Sequence, residues 1–224
     1  HYPENFDEEE LSARKANYQA SIDESIAVVC VSESVLSDVL GSFEVDAGKV
    51  VTLWNIPSGA SLVQLPDRLV KRVLRRLELE SGYLFFPSHA WQHKNHERLI
   101  LAFAEVREKI PELKLVLTGG EMGSDHPAAK RIRELGLENS VKHLGFRTPL
   151  EIRCLYRGAR ALVYPSLFEG FGMPVAEAIL EGTPVACSDI APLREIGGDA
   201  TVIFDPRSTD AIVEALLKVV GDSQ

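Results

Sequence analysis

Long hydrophobic runs are missing from this chain of 224 residues. No apolar stretch approaches the roughly 18 residues that a helix needs to cross a bilayer, so nothing in it reads as a membrane span. Cysteine is scarce: Cys30, Cys154 and Cys187 form an odd, scattered set inside apolar or helical stretches. They offer no disulfide framework and suggest buried thiols in a reducing compartment. Basic charge is short as well. The 24 Lys and Arg against 33 Asp and Glu leave a formal net charge of −9, which argues against a nucleic-acid partner. An anionic substrate then has to be held by local donors rather than drawn in by the overall field. Neither an initiator Met nor a charged-then-apolar leader stands at His1, so a partial or trimmed chain is expected, and a cytoplasmic one. There is no internal repeat, no low-complexity tract, no H-E-x-x-H, and no G-x-G-x-x-G after the first strand of either series described below. A plain NAD-type Rossmann enzyme is disfavoured on that last ground.

What the chain does have is a regular alternation of short apolar runs with helical patterns. Residues 7–24 read as a polar helix with acidic residues in its first turn. A strand at 26–31, a helix from Ser32 to about Leu40 closed by Gly41, and a strand at 49–54 make one β-α-β unit. The breaker cluster Asn55 to Ala60 reads as a linker. After a basic helix from Pro66 to about Glu80, a second series begins at Tyr83. Its strands are expected at 83–86, 113–118, 141–144, 161–164, 184–188 and 202–204. Helices fall between them at 93–109, 128–135, 148–157 and 174–180, and a closing helix at 209–220. Such alternation predicts an α/β fold, a Rossmann-like parallel sheet with helices on both faces.

The stretch Pro165 to Glu177, PSLFEGFGMPVAE, concentrates the chemistry. An apolar strand runs into a loop with Gly170 and Gly172 and then into a helix at Met173-Pro174. Glycines permit close approach to the backbone, and the unpaired N–H groups of a helix start attract anions. Glu169 and Glu177 flank this spot. Carboxylates repel a phosphate, so their task is to accept hydrogen bonds from sugar or ribose hydroxyls. Together these features describe a nucleotide-sugar site. The plainer reading of the glycines is a tight strand-to-helix turn, and that of Glu177 a carboxylate favoured near a helix N-terminus.

Glu169-x7-Glu177 within EGFGMPVAEAILEGTPVACSD resembles the retaining glycosyltransferases of the group 1 family, which have the GT-B fold of two facing Rossmann-like domains. The resemblance covers nearly the whole chain. It implies that residues 1–56 are the end of an N-terminal, acceptor-side domain and the crossing, and 57–224 a C-terminal nucleotide-sugar-binding domain, the rest of the N-terminal domain being absent. It implies a UDP-, GDP- or ADP-sugar as donor, a sugar or lipid-linked acceptor, and no metal or other cofactor. Peripheral attachment to a membrane, which in the family resides in the first domain, is left open.

By the same resemblance, backbone N–H groups near Phe171, Gly172 and Met173 meet the distal phosphate and sugar, Glu169 contacts donor-sugar hydroxyls, and Glu177 the ribose. Lys94, expected at a helix start where its charge opposes the dipole, corresponds to a Lys that grips the diphosphate and stabilises it as it leaves. The family's companion Arg is replaced here: its position falls in Pro87-Ser88-His89, so His89 or Ser88 has to substitute. Gly119, in Gly119-Gly120-Glu121, would line the donor pocket, and Gly145, in Gly145-Phe146-Arg147, would sit where backbone groups read the base. His89, His93 and His96 have spacings that suggest a metal, but no accompanying ligand pattern supports one. Pro192 to Glu195 reads as structural. Two other classes stay open: a nucleotide-sugar-binding module without turnover, and a GT-B epimerase or phosphorylase.

Overall fold

A computed structural model describes residues 7–57 and 63–221, in two compact units, His1–Asn55 and Ile56–Gln224. His1 to Glu4, part of the region of resemblance, and Ser58 to Ala60 of the expected linker lie outside the described residues.

The first unit contains helix α1 (Glu8–Glu24), strand β1 (Val28–Cys30), α2 (Glu33–Ser42) and β2 (Val50–Thr52). Asp7 and Ser32 cap the two helices through their side chains, satisfying donors that a helix start otherwise leaves open. The strands pair in parallel, Val28 opposite Val50. Both are shorter than their apolar runs: Ile26 and Leu53 are exposed, as are Val29, Val51 and Trp54. Gly41 does not close α2, which continues to Ser42.

The second unit is built on a six-stranded parallel sheet in the order β5-β4-β3-β6-β7-β8. Its elements are α3 (Asp67–Arg76), β3 (Tyr83–Pro87), α4 (His96–Lys109), β4 (Leu115–Thr118), α5 (Pro127–Glu134), β5 (Val141–His143) and α6 (Pro149–Gly158). They continue with β6 (Ala159–Tyr164), α7 (Met173–Leu180), β7 (Val185–Ser188), α8 (Ala191–Gly197), β8 (Val202–Phe204) and α9 (Thr209–Gly221). Leu84, Phe85, Phe86, Leu115, Val116, Leu162 and Val163 are fully buried, which explains why these strands read as unbroken apolar runs. Each such side chain contributes on the order of 1.5–3 kcal/mol. On α4, Leu99, Ile100, Phe103 and Val106 form the buried stripe.

Strand order reverses between β3 and β6. From β3 the chain winds outward through β4 and β5; from β6 it winds the other way through β7 and β8. Such a switch point leaves a crevice beyond the carboxyl ends of the two central strands, where ligands bind in open α/β sheets. Here that crevice lies beyond Pro87 and Tyr164. Pro192 to Glu195, expected to be structural, falls within α8, a helix that the sequence pattern did not suggest.

Candidate donor-binding site

Two loops meet at the switch point. The loop after β3 makes a short 3-10 turn, Gln92–Lys94, and then a left-handed step at Asn95 (φ 62, ψ 33) before α4 begins at His96. Lys94 therefore ends the 3-10 turn, one residue before the α4 N-cap, rather than lying within the start of α4 as the sequence suggested. Asn is one of the few residues that adopt this conformation at small cost. The buried Asn95 amide donates to the carbonyls of Pro165 (3.0 Å) and Pro206 (2.8 Å), and the N–H of Leu167 donates to the His93 carbonyl at 2.7 Å. The loop after β3 is thus fastened to the loop after β6.

That fastening brings together two side chains distant in sequence. Lys94 Nζ lies 2.5 Å from Glu169 Oε1, with the side chains only 12% and 11% exposed. Nζ also donates to the Tyr164 hydroxyl at 3.1 Å. Burial raises Tyr164 well above the ordinary phenol range, helped by the nearby Glu169 and Glu177, so Tyr164 sits between the two glutamates as a neutral group.

Beyond Glu169 the chain turns into α7 through Gly172, whose φ of 112 fits glycine. A Cβ there would also stand 2.3 Å from Leu193 Cδ2 of α8. Phe171 is buried and Met173 half-buried. At the start of α7, the N–H groups of Gly172 and Met173 have no intrahelical acceptor. Glu177, one turn in, accepts from the Tyr156 hydroxyl at 2.9 Å. Burial pushes its carboxyl up, the Tyr156 bond pulls it down, and Glu181 pushes it up again.

His89, Gly119 and Gly145 form a second group, at the ends of β3, β4 and β5. Gly119 (φ 125) packs so closely that a Cβ would stand 2.2 Å from the Ser88 carbonyl oxygen, and its N–H donates to the Gly145 carbonyl at 3.1 Å. The exposed His89 ring stacks on Trp91 (5.0 Å between centroids, 13° between planes) and meets the edge of Phe146 at 5.3 Å. Trp91 in turn touches His93, joining this aromatic rim to the Lys94 turn. His93 titrates below the usual histidine range because of burial first and Lys94 second.

Sequence reasoning missed Asn95, Tyr156, Tyr164 and the rim made with Trp91. Asn95 carried a signal, an Asn directly after the candidate Lys. The tyrosines looked like core residues, and they are. Among the described residues no group of three or more His, Cys, Asp or Glu is arranged to hold a metal ion, and no helix is long and apolar enough to cross a membrane. A hollow of about 820 Å³ opens at the opposite, amino-terminal edge of the sheet, lined by residues including Glu78, Glu112, Lys114 and Lys142. Lys114 and Lys142 already donate to the carbonyls of Asn139 (2.9 Å) and Leu77 (2.8 Å). The switch-point crevice is where helix-start donors, carboxylates and a cation converge.

Comparison with known proteins bears on the family and the fold. Residues 72–224 match the family described as glycosyl transferases group 1. The chain is 28% identical over 225 residues to O-antigen chain mannosyltransferase B of Escherichia coli, covering 98% of this chain and 58% of that protein. It is 27% identical over 230 residues to D-inositol 3-phosphate glycosyltransferase of Corynebacterium aurimucosum, covering 96% and 53%. The chain thus spans about half the length of the curated relatives it matches. Among solved structures, that of Anabaena HepE in complex with UDP and glucose is similar with a TM-score of 0.81 at 21% identity, covering 99% of this chain and 60% of the other. That likeness bears on the fold, a parallel α/β sheet of the kind found in GT-B glycosyltransferase domains.

Proposed function

The chain belongs to the group 1 glycosyl transferases, and from that premise we propose that it binds a nucleoside-diphosphate sugar and serves transfer of the sugar to an acceptor with retained anomeric configuration. The observation that carries this reading is the Lys94–Glu169 pair at the switch point, beside the start of α7. A cation and unsatisfied N–H groups suit a diphosphate, and the adjoining carboxylates suit hydroxyls. In this reading the Lys94 amine and the N–H groups at 171–173 stabilise charge on the departing diphosphate, which is electrostatic catalysis. Glu169 orients the donor sugar and Glu177 accepts from the ribose. The bond from the anomeric carbon to the phosphate oxygen breaks as the acceptor oxygen bonds to the same face, and the acceptor proton passes to the leaving phosphate.

His89 or Ser88 takes the place of the family's Arg, with Gly119 lining the pocket and Gly145 beside the base. An imidazole lacks the planar bidentate fork of a guanidinium, so more of the diphosphate's hold falls on Lys94 and α7.

Residues 1–56 are read as part of a first domain that carries the acceptor site. In the first unit, Val29, Val51, Leu53 and Trp54 expose apolar surface beside a two-stranded sheet, as expected of a sheet that further strands or helices cover. The chain by itself would then bind donor without turning it over. The relatives' names, an O-antigen chain mannosyltransferase and a D-inositol 3-phosphate glycosyltransferase, favour a role in polysaccharide or glycoconjugate synthesis; the acceptor is read as a sugar or lipid-linked one and the setting as cytoplasmic or membrane-peripheral.

Calorimetric titration of the chain with UDP, GDP and ADP tests the reading. Saturable binding of one of them, weakened in Glu177→Ala, is expected, and the UDP seen with Anabaena HepE makes UDP the first to try. A folded chain that binds none of the three overturns it.

A further inference from the structure

Tyr156, in the last turn of α6, is almost fully buried, 1% exposed. Its ring packs edge-on against Phe85 at 5.1 Å, and its carbonyl accepts from Thr183 Oγ1 at 2.9 Å. A phenylalanine would serve that packing equally well. The hydroxyl is the part that packing does not explain, and a buried hydroxyl needs a partner. Its partner is Glu177 Oε2, at 2.9 Å.

The groups facing Glu177 are Tyr156 from α6, Tyr164 from β6 and Glu181, the residue that follows α7. Glu181 is ion-paired with Arg153 of α6. Among the described residues no cation is paired with Glu177 itself. Burial keeps Tyr156 protonated far beyond neutral pH, so it acts on the carboxylate as a donor.

We propose that Tyr156 is a positioning residue for donor binding, its hydroxyl holding one oxygen of Glu177 so that the other meets the ribose hydroxyls. The proposal rests on the nucleotide-sugar reading given above. The bond does two things: it selects one orientation of a side chain with three rotatable bonds, and it favours the ionised carboxyl against the cost of burial. The ionised form accepts strongly at both oxygens, whereas protonation turns one of them into a donor.

The test combines NMR titration of the Glu177 carboxyl carbon with calorimetry of nucleotide binding, in the unsubstituted chain and in Tyr156→Phe. Loss of the bond is expected to raise the Glu177 midpoint and to weaken nucleotide binding about tenfold, in line with a hydrogen bond to a charged group. The weakening should be greater near pH 5.5 than near pH 7.5, at roughly those values, because protonation of Glu177 then intrudes. In the Glu177→Ala background Tyr156→Phe should have no further effect on binding. If the Phe variant does not fold, the unsubstituted chain still decides the matter: a slowly exchanging Tyr156 hydroxyl proton should shift as Glu177 titrates, and its absence overturns the proposal. An unmoved midpoint, or an equal loss of affinity at every pH, also overturns it. A chain that binds no nucleotide removes the donor role along with the nucleotide-sugar reading, whereas a moved midpoint without binding shows that the failure lies in that reading and not in the Tyr156–Glu177 contact.

Discussion

Glu169 and Glu177 are eight residues apart and belong to one site, but their surroundings are opposites. Glu169 lies against a cation, Lys94, with both side chains nearly buried. Glu177 is half-buried beside a neutral phenol and a second carboxylate. One negative charge is compensated within the protein and the other is not. The comparison teaches that the two ends of a single motif are held by different physics. At Glu169 the protein stores a formed ion pair that an arriving phosphate has to share. At Glu177 it maintains a carboxylate with unfilled hydrogen-bonding capacity, which a ligand bearing hydroxyls would fill.

Breaking the pair from one side should have the largest effect. Lys94→Met leaves the Glu169 charge buried without its cation, a change that typically costs about 3–5 kcal/mol. Urea denaturation should show a lowered midpoint, and Lys94→Met/Glu169→Gln should recover part of the loss. A double variant no more stable than Lys94→Met would mean that the pair is screened by solvent and that the contrast between the glutamates is smaller than drawn. Next comes the turn that serves both carboxylates. Gly172→Ala forces a side chain into positive φ and against Leu193, at roughly 1–3 kcal/mol, and should weaken nucleotide binding. Thermal melts together with the calorimetric titration check both effects.

His96, directly after the Lys94 turn, adds an acid limb of its own. Burial first, then His126, His143 and Lys94, bring its pKa down to about 3. Below about pH 6.5 the unfolded chain takes up a proton that the folded one refuses. Stability should therefore fall on acidification, by about 1.4 kcal/mol per pH unit over that window. Denaturation midpoints in His96→Leu should show a flatter acid limb. The smallest effect distinguishes the glutamates most directly. The Glu177 carboxyl is raised by burial, so the folded state holds its proton more tightly than the unfolded state does. Its contribution to stability falls as pH rises from the ordinary carboxylate range through the raised folded value. Glu177→Gln should then stabilise the chain at neutral pH by less than about 1 kcal/mol, given solvent screening of a half-exposed group, while weakening nucleotide binding. A stability loss in this variant would show that Glu177 is held as firmly as Glu169.

The inner strands of the second unit were legible because they are buried on both faces and read as apolar runs, Tyr83–Phe86, Leu115–Leu117 and Ala161–Tyr164; the edge strands β5 and β8 are only partly buried and were read from the alternation around them. Helix α8 was not: Pro192-Leu-Arg-Glu195 has too few turns to show a period, and α8 is defined by its packing beside Gly172. The start of α4 was misread because a single left-handed residue, Asn95, interrupts a pattern that is otherwise helical from His93 onward. At the site, residue types and local spacing pointed to Glu169, Glu177, the glycine turn and Lys94. Sequence did not reveal that Lys94 and Glu169 touch across 75 positions, nor that Tyr156 and Tyr164 carry polar contacts into the core, because their rings alone would account for their burial.

Asn95 has a consequence for how such a chain can change. One amide joins the turn that bears Lys94 to the segments at Pro165 and Pro206, so the ends of β3, β6 and β8 have to vary in concert. The rim of His89, Trp91 and Phe146 has no comparable knot, and its rings are exposed. A lineage adapting to new ligands can therefore rewrite the rim one residue at a time, while the Lys94 side is inherited as a block.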